Sequence, residues 1–232
     1  QAPSLKPTVD EMVQQRALTS LRSGNDLDIF WTMTSRERER GLFVLRIPLL
    51  KGMLGQRLLI IRKADVDRFS AVKTFEEIKA LSYGQGHDWP DADILEAAGL
   101  TIFRSSVYST IMDMLDAKRF DAYPVGMNEV EGELATKPNL DLIGEKTIVL
   151  SYLAPVFIFV NLENTPLQIS LKNGFNTIIK NGTFDRVFNA HYQGLLAQSG
   201  MSQRKIFKLD SPDMGDETRM AMKSYAHMLI VK

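Results

Sequence analysis

The chain has 232 residues, with 28 Lys+Arg against 28 Asp+Glu, 44% hydrophobic residues and no Cys. The apolar content and 24% charged residues argue against disorder and allow a sizeable core, as one large domain or two small lobes. Zero net charge argues against nucleic acid as a partner, and the lack of Cys excludes disulfides, zinc-thiolate and iron–sulfur sites and Cys nucleophiles.

Thr8-Val9-Asp10-Glu11 reads as a capping box, followed at helical spacing by Met12, Val13, Ala17 and Leu21, with Gly24 as the stop. Leu27 to Thr32, Phe43 to Leu50 and Arg57 to Arg62 are rich in strand-favouring residues. Thr74-Phe75-Glu76-Glu77 is a second capping box, opening a short helix ahead of a strand over Leu81 to Gly86. Asp91 to Ala98 predicts a helix closed by Gly99, and Thr101 to Arg104 a short strand. Ser106 is placed to cap a helix carrying Val107, Ile111, Met114 and Leu115, with a strand at Phe120 to Tyr123 behind it. This alternation predicts a parallel sheet with helices on its faces. Further on, Lys146 to Asn161 is strand-rich, while Pro166 to Lys180 and Phe184 to Ala197 are helical, separated by the turn Asn181-Gly182 with Thr183 as cap. After residue 202 there is one strand-like piece, Lys205 to Leu209, then polar turns and a Met-rich stretch.

The longest apolar stretch, Ile148 to Val160, is broken by Ser151, Tyr152 and Pro155 and is shorter than the roughly 20 residues of a spanning helix, so the chain is expected not to span a membrane. No basic segment followed by an apolar one opens it, so an export signal is expected to be either absent or already removed.

Chemistry-bearing motifs are few. His87, His191 and His227 lack metal-ligand spacing, no Gly-x-Ser-x-Gly elbow or phosphate loop is present, and Gly84-Gln85-Gly86 lacks the third Gly of a dinucleotide fingerprint. Asp91 and Asp93 fall in the first turn of a helix, where they complement its dipole. No metal, no cofactor and no catalytic set are therefore expected. Two loops at strand ends stand out, since ligands of open α/β sheets collect there. In Trp31 to Arg38, the ring, the hydroxyls of Thr32, Thr34 and Ser35 and the guanidinium groups of Arg36 and Arg38 suit a small polar ligand, though a solvated charged helix start reads equally well. In Gly86-His87-Asp88-Trp89-Pro90, Asp88 and Trp89 are placed either to contact a ligand or to cap the next helix and pack on the surface.

Several of these segments together resemble the type II periplasmic solute-binding proteins, which include the amino-acid-binding components of ABC importers. The family run D-L-V-I-S-G-M-T-I-T-P-E-R lies without a gap on Asp26 to Arg38, and the final Glu-Arg pair coincides. Pro48 to Gly52 with Leu58 to Lys63 is similar to the family's Pro-Tyr segment and first hinge strand, and Thr74 to Ile78 to its S-L-E-D-L. Met112 to Ala122 resembles A-L-x-x-G-R-V-D-A, Val156 to Asn161 the returning hinge strand, and Asn181 to Phe184 the closing x-D-G-T-x.

The resemblance implies a two-lobed α/β fold with two hinge strands, lobe 1 from residues 1–60 and 155–232 and lobe 2 from 61–154. It implies a non-enzymatic protein of the periplasm, its signal peptide removed, that captures a small polar solute between the lobes for an ABC transporter permease or a sensor. The implied contacts are Trp31, Ser35, Arg38, His87, Asp88, Trp89, Tyr123 and Gly126, with Arg38 matching the family's carboxylate clamp. Where the family offers hydroxyls and amides to that carboxylate this chain has Gly86-His87-Asp88, and where it has an Asp for the ligand amino group this chain has Gly126. Those departures point away from an α-amino acid and toward a cationic or polyhydroxyl ligand. The family's opening strand and helix have no match ahead of Leu5 to Leu21, which leaves the first lobe expected to be incomplete, with the tail beyond residue 200 as a candidate filler. The alternative is a degenerate module of the same fold that acts in protein–protein contact.

Overall fold

A computed structural model describes residues 6–8 and 12–230. Its elements are, in chain order, α1 (Gln14–Ser23), β1 (Ile29–Met33), α2 (Arg36–Glu39), β2 (Leu42–Leu45), β3 (Gln56–Arg62), α3 (Val66–Ser70), α4 (Phe75–Lys79), β4 (Ser82–Gly86), α5 (Pro90–Ala97), β5 (Thr101–Ser105), α6 (Ile111–Asp116), β6 (Tyr123–Gly126), α7 (Val130–Thr136), β7 (Leu142–Gly144), β8 (Ile148–Ser151), β9 (Val156–Asn161), α8 (Thr165–Lys180), α9 (Thr183–Gln198), β10 (Lys205–Lys208) and α10 (Asp216–Ser224).

The first sheet has the order β1-β9-β2 and is antiparallel throughout, with Trp31 opposite Ile158 and Phe43 opposite Val160. β9 is an unbroken apolar run because both of its faces are covered. Phe157 and Phe159 meet Leu18 and Leu21 of α1, while Ile158 and Val160 meet Leu167, Leu171, Phe175 and Ile179 of α8. The second sheet runs β10-β8-β3-β6, with β7 also paired to β3. β3 likewise divides its side chains by alternation, Leu59 and Ile61 going to a core with Phe69, Ile78 and Leu95 and Ile60 to one with Ile111 and Leu115. Parallel β4 and β5 join this sheet through a bridge between Tyr83 and Ala122.

The expectation of a parallel sheet thus holds only in part. β4/β5 and β8/β10 are parallel, but β3 is antiparallel to β6, β7 and β8. In the first sheet the antiparallel order is topological: β9 returns from late in the chain and inserts between β1 and β2 from the opposite direction. Local signals fared better. The Thr74 capping box forms, Thr74 Oγ1 accepting from the Glu77 amide at 3.3 Å and Glu77 Oε2 from the Thr74 amide at 2.8 Å. The Thr8 box does not open α1, which starts at Gln14 with Val13 at its N-cap; residues 9–11 lie outside the described residues. Ser106 caps nothing, and the segment behind it begins as a 3-10 turn, Tyr108–Thr110, before α6. The strand expected at Phe120 forms three residues later, and Gly182 rather than Thr183 occupies the N-cap of α9.

Two short crossings run between the sheets, from Leu45 to Gln56 and from Ser151 to Val156. The two crossings touch at Gly55, where a Cβ would lie 2.1 Å from the Tyr152 carbonyl oxygen, so only glycine fits; the Tyr152 amide donates to Gly55 O at 3.0 Å. After residue 200 the chain serves both sheets. β10 pairs in parallel with β8, and α10 places Met222 against Leu18, Leu21 and Phe157. The tail therefore fills first-sheet core, as a helix and not as a strand; among the described residues no strand pairs with the outer edge of β1. Among them, too, no helix is long and apolar enough to cross a membrane.

Candidate functional site

A cleft of about 1080 Å³ opens between the sheets, walled by Trp31, Thr32, Met33 and Arg38 on one side and by residues 86–91, 105–109, Tyr123, Asn128, Glu129 and Glu133 on the other. Of the residues expected from sequence, Trp31, Arg38, His87, Asp88, Trp89 and Tyr123 line it together. Ser35 and Gly126 do not. The Ser35 hydroxyl is the N-cap of α2, accepting from the Arg38 amide at 3.2 Å, and the Gly126 amide donates to Glu129 Oε2 at 2.6 Å.

Trp31 stands on the open edge of β1 and is 60% exposed, available to a ligand. Arg38 is 3% exposed and lies across the cleft. Its Nη1 donates to Thr32 Oγ1 at 2.9 Å and Met33 O at 3.0 Å, and its Nη2 to the Asp88 carbonyl at 3.0 Å. Burial pushes the guanidinium pKa down, opposed by the carboxylates of Asp91 and Asp88. This side chain thus ties the first sheet to the loop after β4, and a solvated helix start does not describe it.

That loop is shaped by Gly86, where a Cβ would sit 2.6 Å from the Trp89 ring. Trp89 in turn packs on Tyr108, ring centroids 5.7 Å apart. Asp88 does not cap α5, whose N-cap position is Trp89 with no side-chain bond and whose first turn holds Pro90. Asp91 does more than complement the helix dipole. It is buried and accepts from Arg57 Nη2 at 2.5 Å and from the Tyr152 hydroxyl at 2.6 Å, while Arg57 Nη1 reaches Glu129 at 3.3 Å. Burial opposes the charge on Arg57, but Asp91, Tyr152 and Glu129 outweigh it and hold the guanidinium above its ordinary range. The network joins β3, α5 and the second crossing at the floor of the cleft.

Sequence reasoning missed Arg57, Tyr108, Glu129 and Glu133. Glu129 and Glu133 are four residues apart at the start of α7, a spacing that puts both on one face. Glu133 accepts a hydrogen bond from the Tyr108 hydroxyl, and burial, reinforced by Glu129, pushes its carboxyl pKa up. Tyr123, 1% exposed, has its phenol pushed up by burial and by Glu133. Among the described residues no group of three or more His, Asp or Glu is placed to hold a metal ion.

By sequence, no protein-family profile and no curated protein matches the chain. Solved structures do match its fold. The binding component of an ABC transporter from Wolinella succinogenes, complexed with lysine, aligns with a TM-score of 0.60 at 12% identity, over 78% of this chain and 76% of that one. The amino acid ABC transporter substrate-binding protein AbpA from Streptococcus pneumoniae, bound to L-arginine, gives 0.58 at 12% identity over 80% and 76%. The GluR0 ligand-binding core in complex with L-glutamate gives 0.58 at 15% identity over 77% of each chain. The chain therefore has the two-lobed α/β fold of the type II periplasmic binding proteins, as the resemblance implied.

Proposed function

We propose that this protein is a non-enzymatic solute-binding protein of the periplasm that captures a small polar solute in the cleft and presents it to an ABC transporter permease or a sensor. The observation that carries this is the cleft itself, in which Trp31 and Arg38 from one sheet converge with Asp88, Trp89 and Tyr123 from the other. The lobes are residues 1–60 with 155–232, and 61–154, except that β3 and β10 stand in the second sheet, and they move about the paired crossings at Gly55 and Tyr152. The small ligands named for the three fold relatives, lysine, L-arginine and L-glutamate, support solute capture. A second reading, a module of this fold that binds another protein, is favoured by one feature, the exposed Trp31 on an edge of β1 that is unpaired among the described residues.

A thermal-shift panel of amino acids, polyamines, sugars and small organic acids tests the proposal. A true ligand at about 100 times its dissociation constant stabilises the folded protein by about 2.7 kcal/mol, a visible rise in midpoint. Silence across the panel, from protein shown to be folded, would contradict solute capture and favour the protein-binding module.

A further inference from the structure

The charges around the cleft are of mostly one sign. Two guanidinium groups, Arg38 and Arg57, stand among four carboxyl groups, Asp88, Asp91, Glu129 and Glu133. Both guanidinium groups are already committed: Arg38 to Thr32, Met33 and the Asp88 carbonyl, Arg57 to Asp91 and Glu129. The N-terminus of α5, where free backbone N–H groups would favour an anion, begins with Pro90, which has no N–H, and carries Asp91 and Asp93. A ligand carboxylate would meet four carboxyl groups here against two guanidinium groups, of which Arg57 is already ion-paired and Arg38 has part of its donors spent on Thr32, Met33 and the Asp88 carbonyl.

A cation meets the reverse. Among the described residues Glu133 has no cationic partner, only the Tyr108 hydroxyl and its neighbour Glu129. Its raised pKa reflects a half-buried carboxylate short of compensating charge. Tyr108 links this carboxylate to an aromatic wall, because its ring packs on Trp89 while its hydroxyl holds Glu133. Asn128 on the same wall has its Oδ1 buried with no hydrogen-bond partner among the described residues, an acceptor left open. Aromatic faces, a carboxylate and an open acceptor together fit an organic cation.

We propose that Glu133, with Tyr108, Trp89 and Tyr123, forms a subsite for the ammonium or guanidinium group of a small organic cation that carries no carboxylate, an amine in place of an amino acid. This rests on the cleft being a solute site and narrows what it takes. The probes are two pairs that differ only by a carboxylate, agmatine with arginine and cadaverine with lysine, titrated by calorimetry. In at least one pair the amine binds about tenfold tighter than its amino acid or better, and Glu133→Gln, isosteric but uncharged, weakens the amine by about tenfold or more while circular dichroism shows an intact fold. An amino acid that binds as tightly as its amine, or an amine that binds Glu133→Gln undiminished, overturns the proposal. If neither pair binds but a sugar or organic acid does, the cation subsite fails and solute capture stands; if nothing binds, both fail.

Discussion

Arg57 and Asp91 show how a residue of the site also supports the fold. Both are about 95% buried, at 4% and 5% exposure, so their charges are tolerable only as a pair with Tyr152 completing the hydrogen bonding. Asp91→Ala would leave Arg57 with Glu129, at 3.3 Å, as its remaining ion-pair partner and is expected to cost about 3 kcal/mol or more, read as a lowered urea midpoint. Little of this was legible in the sequence. Asp91 looked like an ordinary first-turn acid because its partners lie on β3 and after β8, and no local pattern announces a contact across the fold. The same holds for Arg38: the match to the family motif located it in the cleft, but only the folded chain shows its donors turned to Thr32, Met33 and Asp88. Ser35 and Gly126 carried over from the motif to neighbouring positions whose backbone roles, capping α2 and donating to Glu129, turn them out of the lining.

Elements whose signal is local were read well. The Thr74 box opens α4, the helical runs behind Asn164 and Gly182 become α8 and α9, and the apolar run of β9 is a strand covered on both faces. Sheet direction was not legible, since β1 and β2 meet each other only through β9. α10 was missed because its apolar signal is thin: Thr218 and Met222 are its buried residues, and no side chain caps its start. Its position makes a sharp prediction. Met222 is 6% exposed in the core with Leu18, Leu21 and Phe157, whereas Met220 two positions earlier is 61% exposed. Met222→Ala is expected to destabilise by about 2 kcal/mol or more. Met220→Ala should stay within about 0.5 kcal/mol, and chemical denaturation of the two variants side by side checks that the tail is part of the first-sheet core.

Across the whole molecule, two sheets joined by two touching crossings leave a cleft bridged by the buried guanidinium of Arg38, with that of Arg57 reaching Met33, and with aromatic rings on both walls. Arg38 bonds the Asp88 backbone, and on the proposed function the acids and rings around Glu133 choose the solute. The chain contains two tryptophans, Trp31 and Trp89, and both line this cleft, one from each side. Intrinsic fluorescence is therefore a direct report on the site without any label. The most telling measurement is a titration of the stabilising solute followed by tryptophan emission and acrylamide quenching. Capture in the cleft predicts a saturable spectral change and loss of quencher access, with the same midpoint as calorimetry. Saturation of the protein by that solute with both indoles unchanged in emission and quenching would place binding elsewhere and contradict the account.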